Sequence, residues 1–121
     1  MKRDMELIRK ILLQIEDTVD NGVTYCLHIN GYSMEQLAYH CSILYEGGYI
    51  HYYDNESFSD SFGVGRLTWD GHDFLDKIRE DTIWNKTKDT ITEKGLPFVF
   101  DIVKSVSSEI IHGLITGYIG M

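Results

Sequence analysis

Between Ile11 and Gly65 there is not one lysine or arginine, while the same stretch carries eight carboxylates. Affinity for nucleic acid comes largely from cations that neutralise phosphates, so this gap argues against a grip on DNA by the middle of the chain. Cysteine is scarce as well. Cys26 and Cys41 are too few for a disulfide scaffold, and a reducing, cytoplasmic setting is expected. A single proline and the lack of any low-complexity tract argue against disorder. No apolar run reaches the roughly eighteen residues that a spanning helix needs, so no membrane segment is expected. The basic start, Lys2-Arg3, is not followed by an uninterrupted apolar run, so no signal peptide is expected either.

Chemical signatures are missing too. There is no Cys-x-x-Cys, no His-Glu-x-x-His, no Gly-x-Ser-x-Gly, no phosphate loop and no dinucleotide fingerprint. The expectation is a protein that is not an enzyme and takes no cofactor. Metal binding would have to use His28, His40, His51, His72, Cys26 and Cys41. Only Cys26 and His28 share a strand face, and His40 and Cys41, being adjacent on a helix, point apart. Buried cysteines with surface or hydrogen-bonded histidines are the preferred reading, and no metal is expected. His72, between Asp70 and Asp73 and near Asp76, reads as a helix start, not a catalytic group.

What is present is an ordinary globular composition. The chain has 121 residues, 43% of them apolar and 25% charged, enough for one folded unit with a real core. Its net charge is −8. All of that excess belongs to the cation-free stretch, through Glu16, Asp17, Asp20, Glu35, Glu46, Asp54, Glu56 and Asp60; elsewhere acids and bases balance. Such a face aids solubility, and it can also avoid or imitate a polyanion.

The best-marked segment is Ser33–Ile50. Ser33 followed by Gln36 is a capping box, and Tyr32 with Leu37 suits a hydrophobic staple. Leu37, Cys41, Leu44 and Tyr45 fall at helical spacing, which predicts a buried face on a helix from Ser33 to Glu46. Gly47-Gly48 stops it, and Tyr49–Tyr53 reads as a strand. Before it, Asp4 caps a helix to about Asp20, with Met5, Ile8, Ile11, Leu12, Ile15 and Val19 in one stripe. Val23–Ile29 alternates as a strand. After it come a hairpin tip at Asn55–Gly63 and a returning strand at Val64–Leu67. Thr68 caps a further helix whose apolar side is Trp69, Phe74, Leu75 and Ile78. A short helix around Ile83–Ile91 follows. Pro97 is set to open the last helix, with a broad stripe of Val99, Phe100, Val103, Val106, Ile110, Ile111, Leu114 and Ile115.

Helix, strand, helix and two-stranded hairpin is the order of a winged-helix domain. The expected fold is therefore α+β: a winged-helix-like domain over residues 1–95 and a C-terminal helical extension over 96–121 that packs on it or mediates a dimer. Ordinary winged helices carry two helices between the first and second strands, and here only one fits. Lys2-Arg3-Asp4-Met5, Gly31-Tyr32-Ser33, Tyr39-His40, Gly48-Tyr49-Ile50, Leu67–Asp76 and Ile83–Lys88 resemble the uncharacterised bacterial and phage family called domain of unknown function 2513. The resemblance implies a winged-helix-like fold and a bacterial or prophage setting, and carries over no catalytic residue.

Two functions follow from this. One is a small regulatory or interaction module with an acidic protein-binding surface. Its candidate binding residues are on the outer face of the central helix: Gln36, Tyr39, His40 and Ile43, flanked by Glu35 and Glu46. The other is a DNA-binding regulator, with Gln36 pairing with adenine and with Lys2, Arg3, Arg9, Lys10 and Arg66 on phosphates. The charge pattern favours the first, with a protein partner and a possible second copy through the last helix.

Overall fold

A computed structural model describes residues 1–55 and 61–119, with side chains as far as Gly117. The elements are α1 (Met5–Thr18), β1 (Val23–Thr24), α2 (Met34–Glu46), β2 (Tyr53–Asn55), β3 (Phe62–Gly65), α3 (Trp69–Ile78), α4 (Asp81–Glu93) and α5 (Phe100–Ile119). Among the described residues this is an α+β fold of five helices and one antiparallel sheet, in strand order β1-β3-β2. Of the expected hairpin tip, Asn55–Gly63, residues 56–60 lie outside the described residues, as do 120–121; Asn55 belongs to β2, and the returning strand starts at Phe62, earlier than the expected Val64. The chain groups into two compact units, Met1–Asp73 and Phe74–Met121.

In the first unit, α1 starts where Asp4 accepts a hydrogen bond from the Leu7 N–H at 3.1 Å. Its stripe of Leu7, Ile8, Ile11, Leu12 and Ile15 is buried, and α2 packs on it. The capping box of α2 is complete: Gln36 N–H donates to Ser33 Oγ at 3.1 Å, and Ser33 N–H donates to Gln36 Oε1 at 2.9 Å. Leu37, Cys41 and Leu44 are buried, whereas Tyr45, expected beside them, is exposed. Gly48, at φ +83°, turns the chain out of the helix, as only glycine does without strain. The ladder that follows begins at an Ile50–Leu67 bridge and continues through Tyr53–Val64 to Asn55–Phe62.

The first strand is shorter than its alternation predicts, since only Val23 and Thr24 pair, with Gly65 and Val64. Beyond them the chain leaves the sheet, and a side chain takes over the role of a neighbouring strand. Gln14 Nε2 donates to the His28 carbonyl at 2.8 Å, and the His28 N–H donates to Gln14 Oε1 at 3.2 Å. This amide clamp holds an irregular segment against α1 and lets Leu27 stay buried.

Helix α3 begins at Thr68, whose Oγ1 accepts from the Gly71 N–H at 3.0 Å. In the second unit α4 packs along α5. Phe74 stacks on Phe100 with ring centroids 4.0 Å apart, and buried Trp84 lies beside Phe98. Helix α5 starts at Phe100, later than Pro97 suggests, after a left-handed Gly95 and an exposed Leu96–Val99 connection. Of its stripe, Phe100, Val103 and Val106 are buried. Ile110 and Ile111 are half-buried, and Leu114 and Ile115 are exposed.

Candidate interaction surface

The capping box and the glycine stop fix which residues of α2 face outward. Glu35, Tyr39, Tyr45 and Glu46 are exposed, and Gln36 and Ile43 are half-buried. Tyr39 and Ile43 join Glu46, Gly47, Met1 and Arg3 around an open cleft of about 610 Å³. On its other side Tyr39 borders a groove of about 670 Å³ that reaches Tyr53 and Phe62 through Met34 and Ala38. Three of the sequence candidates, Arg3, Tyr39 and Ile43, are thus brought together.

His40 is not on that face. It is 1% exposed, and it ties α2 to the start of α1. Its Nε2 accepts the Asp4 N–H at 2.9 Å, and its Nδ1 donates to the Gln36 carbonyl at 2.8 Å. Together the two bonds require a neutral ring with the proton on Nδ1. An imidazole with both nitrogens satisfied can be buried at little cost, which is why the polar residue sits inside. Tyr39 covers it edge-on, with ring centroids 5.7 Å apart. Gln36 is partly engaged, since its Oε1 accepts the Ser33 N–H in the capping box.

The candidate cations are scattered. Arg9 is buried and engaged within the fold, so it is withdrawn from any phosphate. Lys10 is exposed and lies 5.6 Å from the centre of the Tyr32 ring, a cation–π distance. Arg66 is half-buried and donates to the Leu67 carbonyl at 3.1 Å. Lys2 and Arg3 are exposed. No element between Ile11 and Gly65 supplies a cation to join them.

Titration follows burial. Burial pushes the Cys41 thiol up to about 12. The Tyr53 phenol is raised by burial first, then by Cys41 and Asp54. The Tyr52 hydroxyl is raised by burial, by the Asp54 charge and by Tyr25. Among the described residues, no three His, Cys, Asp or Glu side chains are placed to hold a metal ion. No described helix is long and apolar enough to cross a membrane.

One outward residue escaped the sequence reading. The sequence reading places Trp69 on the apolar side of α3, yet it is 83% exposed. The signal was in the spacing. Gly71, Phe74, Leu75 and Ile78 are the buried positions, a helical stripe in which residue 69 falls on the opposite side.

The family described as "Hypothetical protein (DUF2513)" matches residues 2–97, and the chain belongs to it. An uncharacterised protein of Haemophilus influenzae is 38% identical over 117 residues, covering 95% of this chain and 99% of that protein. No solved structure matches.

Proposed function

We propose that this member of the family is a non-enzymatic interaction module, a regulatory component of a bacterial or prophage system, whose first unit binds a basic segment of a partner protein. One observation carries the reading. The outward side of α2 and the turn after it present Tyr39, Tyr45, Glu35 and Glu46 with no lysine or arginine. Aromatic rings supply contact area at low entropic cost, and carboxylates select a cationic partner. A cytoplasmic setting suits the free thiols of Cys26 and Cys41.

A second reading has its own support. Its support is the strand order β1-β3-β2 with a helix ahead of a two-stranded hairpin, an order that winged helices also have, although they carry two helices where this chain has only α2 between β1 and β2. Lys2, Arg3 and Arg66 would then be its phosphate contacts. Fluorescence anisotropy across a salt series separates the two. Weak binding of mixed-sequence duplex DNA at physiological salt, with tighter binding of an arginine-rich peptide, is expected. Tight duplex binding lost on Lys2→Ala, Arg3→Ala and Arg66→Ala would replace the first reading with the second.

A further inference from the structure

We infer that Trp69 is the anchor of a docking surface for an arginine-bearing segment of a partner protein, an inference that rests on the interaction-module reading above. The chain has two tryptophans, and they are at opposite extremes: Trp84 is 2% exposed and Trp69 is 83% exposed. A large ring left in water gives nothing to the fold, and among the described residues no ring and no cation stacks on it.

The backbone that carries Trp69 is nevertheless held firmly. Thr68 Oγ1 donates to the Gly48 carbonyl and accepts from the Gly71 N–H, and the Thr68 N–H donates to the Tyr49 carbonyl at 3.1 Å. Two residues on, the Tyr49 carbonyl fills the space that a Cβ on Gly71 would need. An exposed ring on an ordered backbone is already placed for contact, and little ordering is left for a partner to drive.

The chemistry around the ring selects the partner. Residues 72 and 73 are three and four positions along the helix, on the same side as residue 69. Asp70 and Asp73 are exposed, and His72 Nδ1 is 3.7 Å from Glu16. Arg66 turns to the Leu67 carbonyl. A guanidinium laid on the indole face gains a cation–π contact and can reach a carboxylate from the same pose. A second copy of this acidic chain, or a phosphate backbone, would bring negative charge towards Asp70 and Asp73, so the arginine-bearing segment is the occupant that fits.

The test uses the full chain and a short labelled peptide of alternating arginine and glycine. Anisotropy is followed together with tryptophan emission. The expected result is saturable binding that shifts the emission of the exposed tryptophan. Trp69→Ala should weaken binding at least about thirtyfold, the level of an interface hot spot, while the thermal midpoint stays in place. The double variant Asp70→Asn, Asp73→Asn should weaken it as well, with a smaller salt dependence. Equal affinity in the wild type and Trp69→Ala would overturn the anchor while leaving the interaction-module reading in place, since charge alone would then bind the peptide. Failure of the wild type to bind any basic peptide would overturn both. A two-copy mass in sedimentation that falls to one copy in Trp69→Ala would overturn the proposal in favour of self-association.

Discussion

Helix α2 closes its polar groups inside the first unit, whereas helix α5 leaves apolar groups uncovered in the second. On α2, the Gln36 Oε1 accepts the Ser33 N–H at the helix start, and His40 is buried with both ring nitrogens bonded. On α5, Leu114 is 51% exposed and Ile115 52%. Both helices are amphipathic in sequence. They differ in what reaches them: α1 and β2 both pack on α2, and α4 packs along α5. Burial therefore follows from the supply of partners as much as from residue type. A polar ring goes inside when two backbone groups meet it, and an isoleucine stays outside when no element covers it.

The largest effect expected on this contrast is chemical. Cys41 is sealed in the inner face of α2, and raising its thiol from 9.0 to about 12 cuts the thiolate present at pH 8 roughly a thousandfold. Cys26 is exposed. Alkylation of the folded protein should label one cysteine quickly and the other only on unfolding. The stability that Cys41 contributes as a neutral thiol is full below 9.0 and is lost as pH rises towards about 12. Cys41→Ala should flatten the loss of stability across that window. Rapid labelling of both thiols would show that the face is open.

Leu44 is the next lever. It is buried on the stripe with Leu37 and Cys41, directly before the glycine stop. Leu44→Ala should cost about 2–5 kcal/mol, read as a lower denaturant midpoint. An unchanged midpoint would show that Leu44 is not part of the packed face of α2.

Much of α2 was legible because its signals are local. Ser33, Gln36 and Gly48 act on their own neighbours, so the helix bounds could be read from the sequence. Tyr45, His40 and Arg9 were misplaced because their surroundings are set by residues far along the chain. The Asp4 N–H, 36 positions away, decides where His40 goes. The same distance effect shortened β1, where Gln14 replaces strand pairing at His28. The site was less legible than the fold. Arg3, Tyr39 and Ile43 do converge, but the exposure of Trp69 depended on counting the α3 stripe from Gly71 and not from the cap.

His40 offers a smaller and more specific test. His40→Phe keeps a ring of similar shape and removes both bonds, leaving the Asp4 N–H without its acceptor. The expected cost is about 1–3 kcal/mol, with faster amide exchange at Asp4 and no change at Trp84. Wild-type stability in this variant would mean that the bridge between α1 and α2 is incidental.

The smallest effect on folding belongs to the outer half of α5. Leu114→Glu alters an exposed side chain, so it should change stability by no more than about 0.5 kcal/mol. Its effect on association is expected to be larger. Over residues 110–121 no side chain is a carboxylate, lysine or arginine, and His112 is the only titratable side chain besides Tyr118. Two copies that each carry a net charge of −8 repel least where they meet through such a segment, and the uncovered leucine and isoleucine supply the attraction. Sedimentation of the full chain should show self-association at high concentration that Leu114→Glu abolishes without unfolding the protein. A wild type that stays at single-chain mass would reduce the stripe to exposed surface. A stability loss of several kcal/mol would instead make this half of α5 part of the core, and the contrast with α2 would disappear.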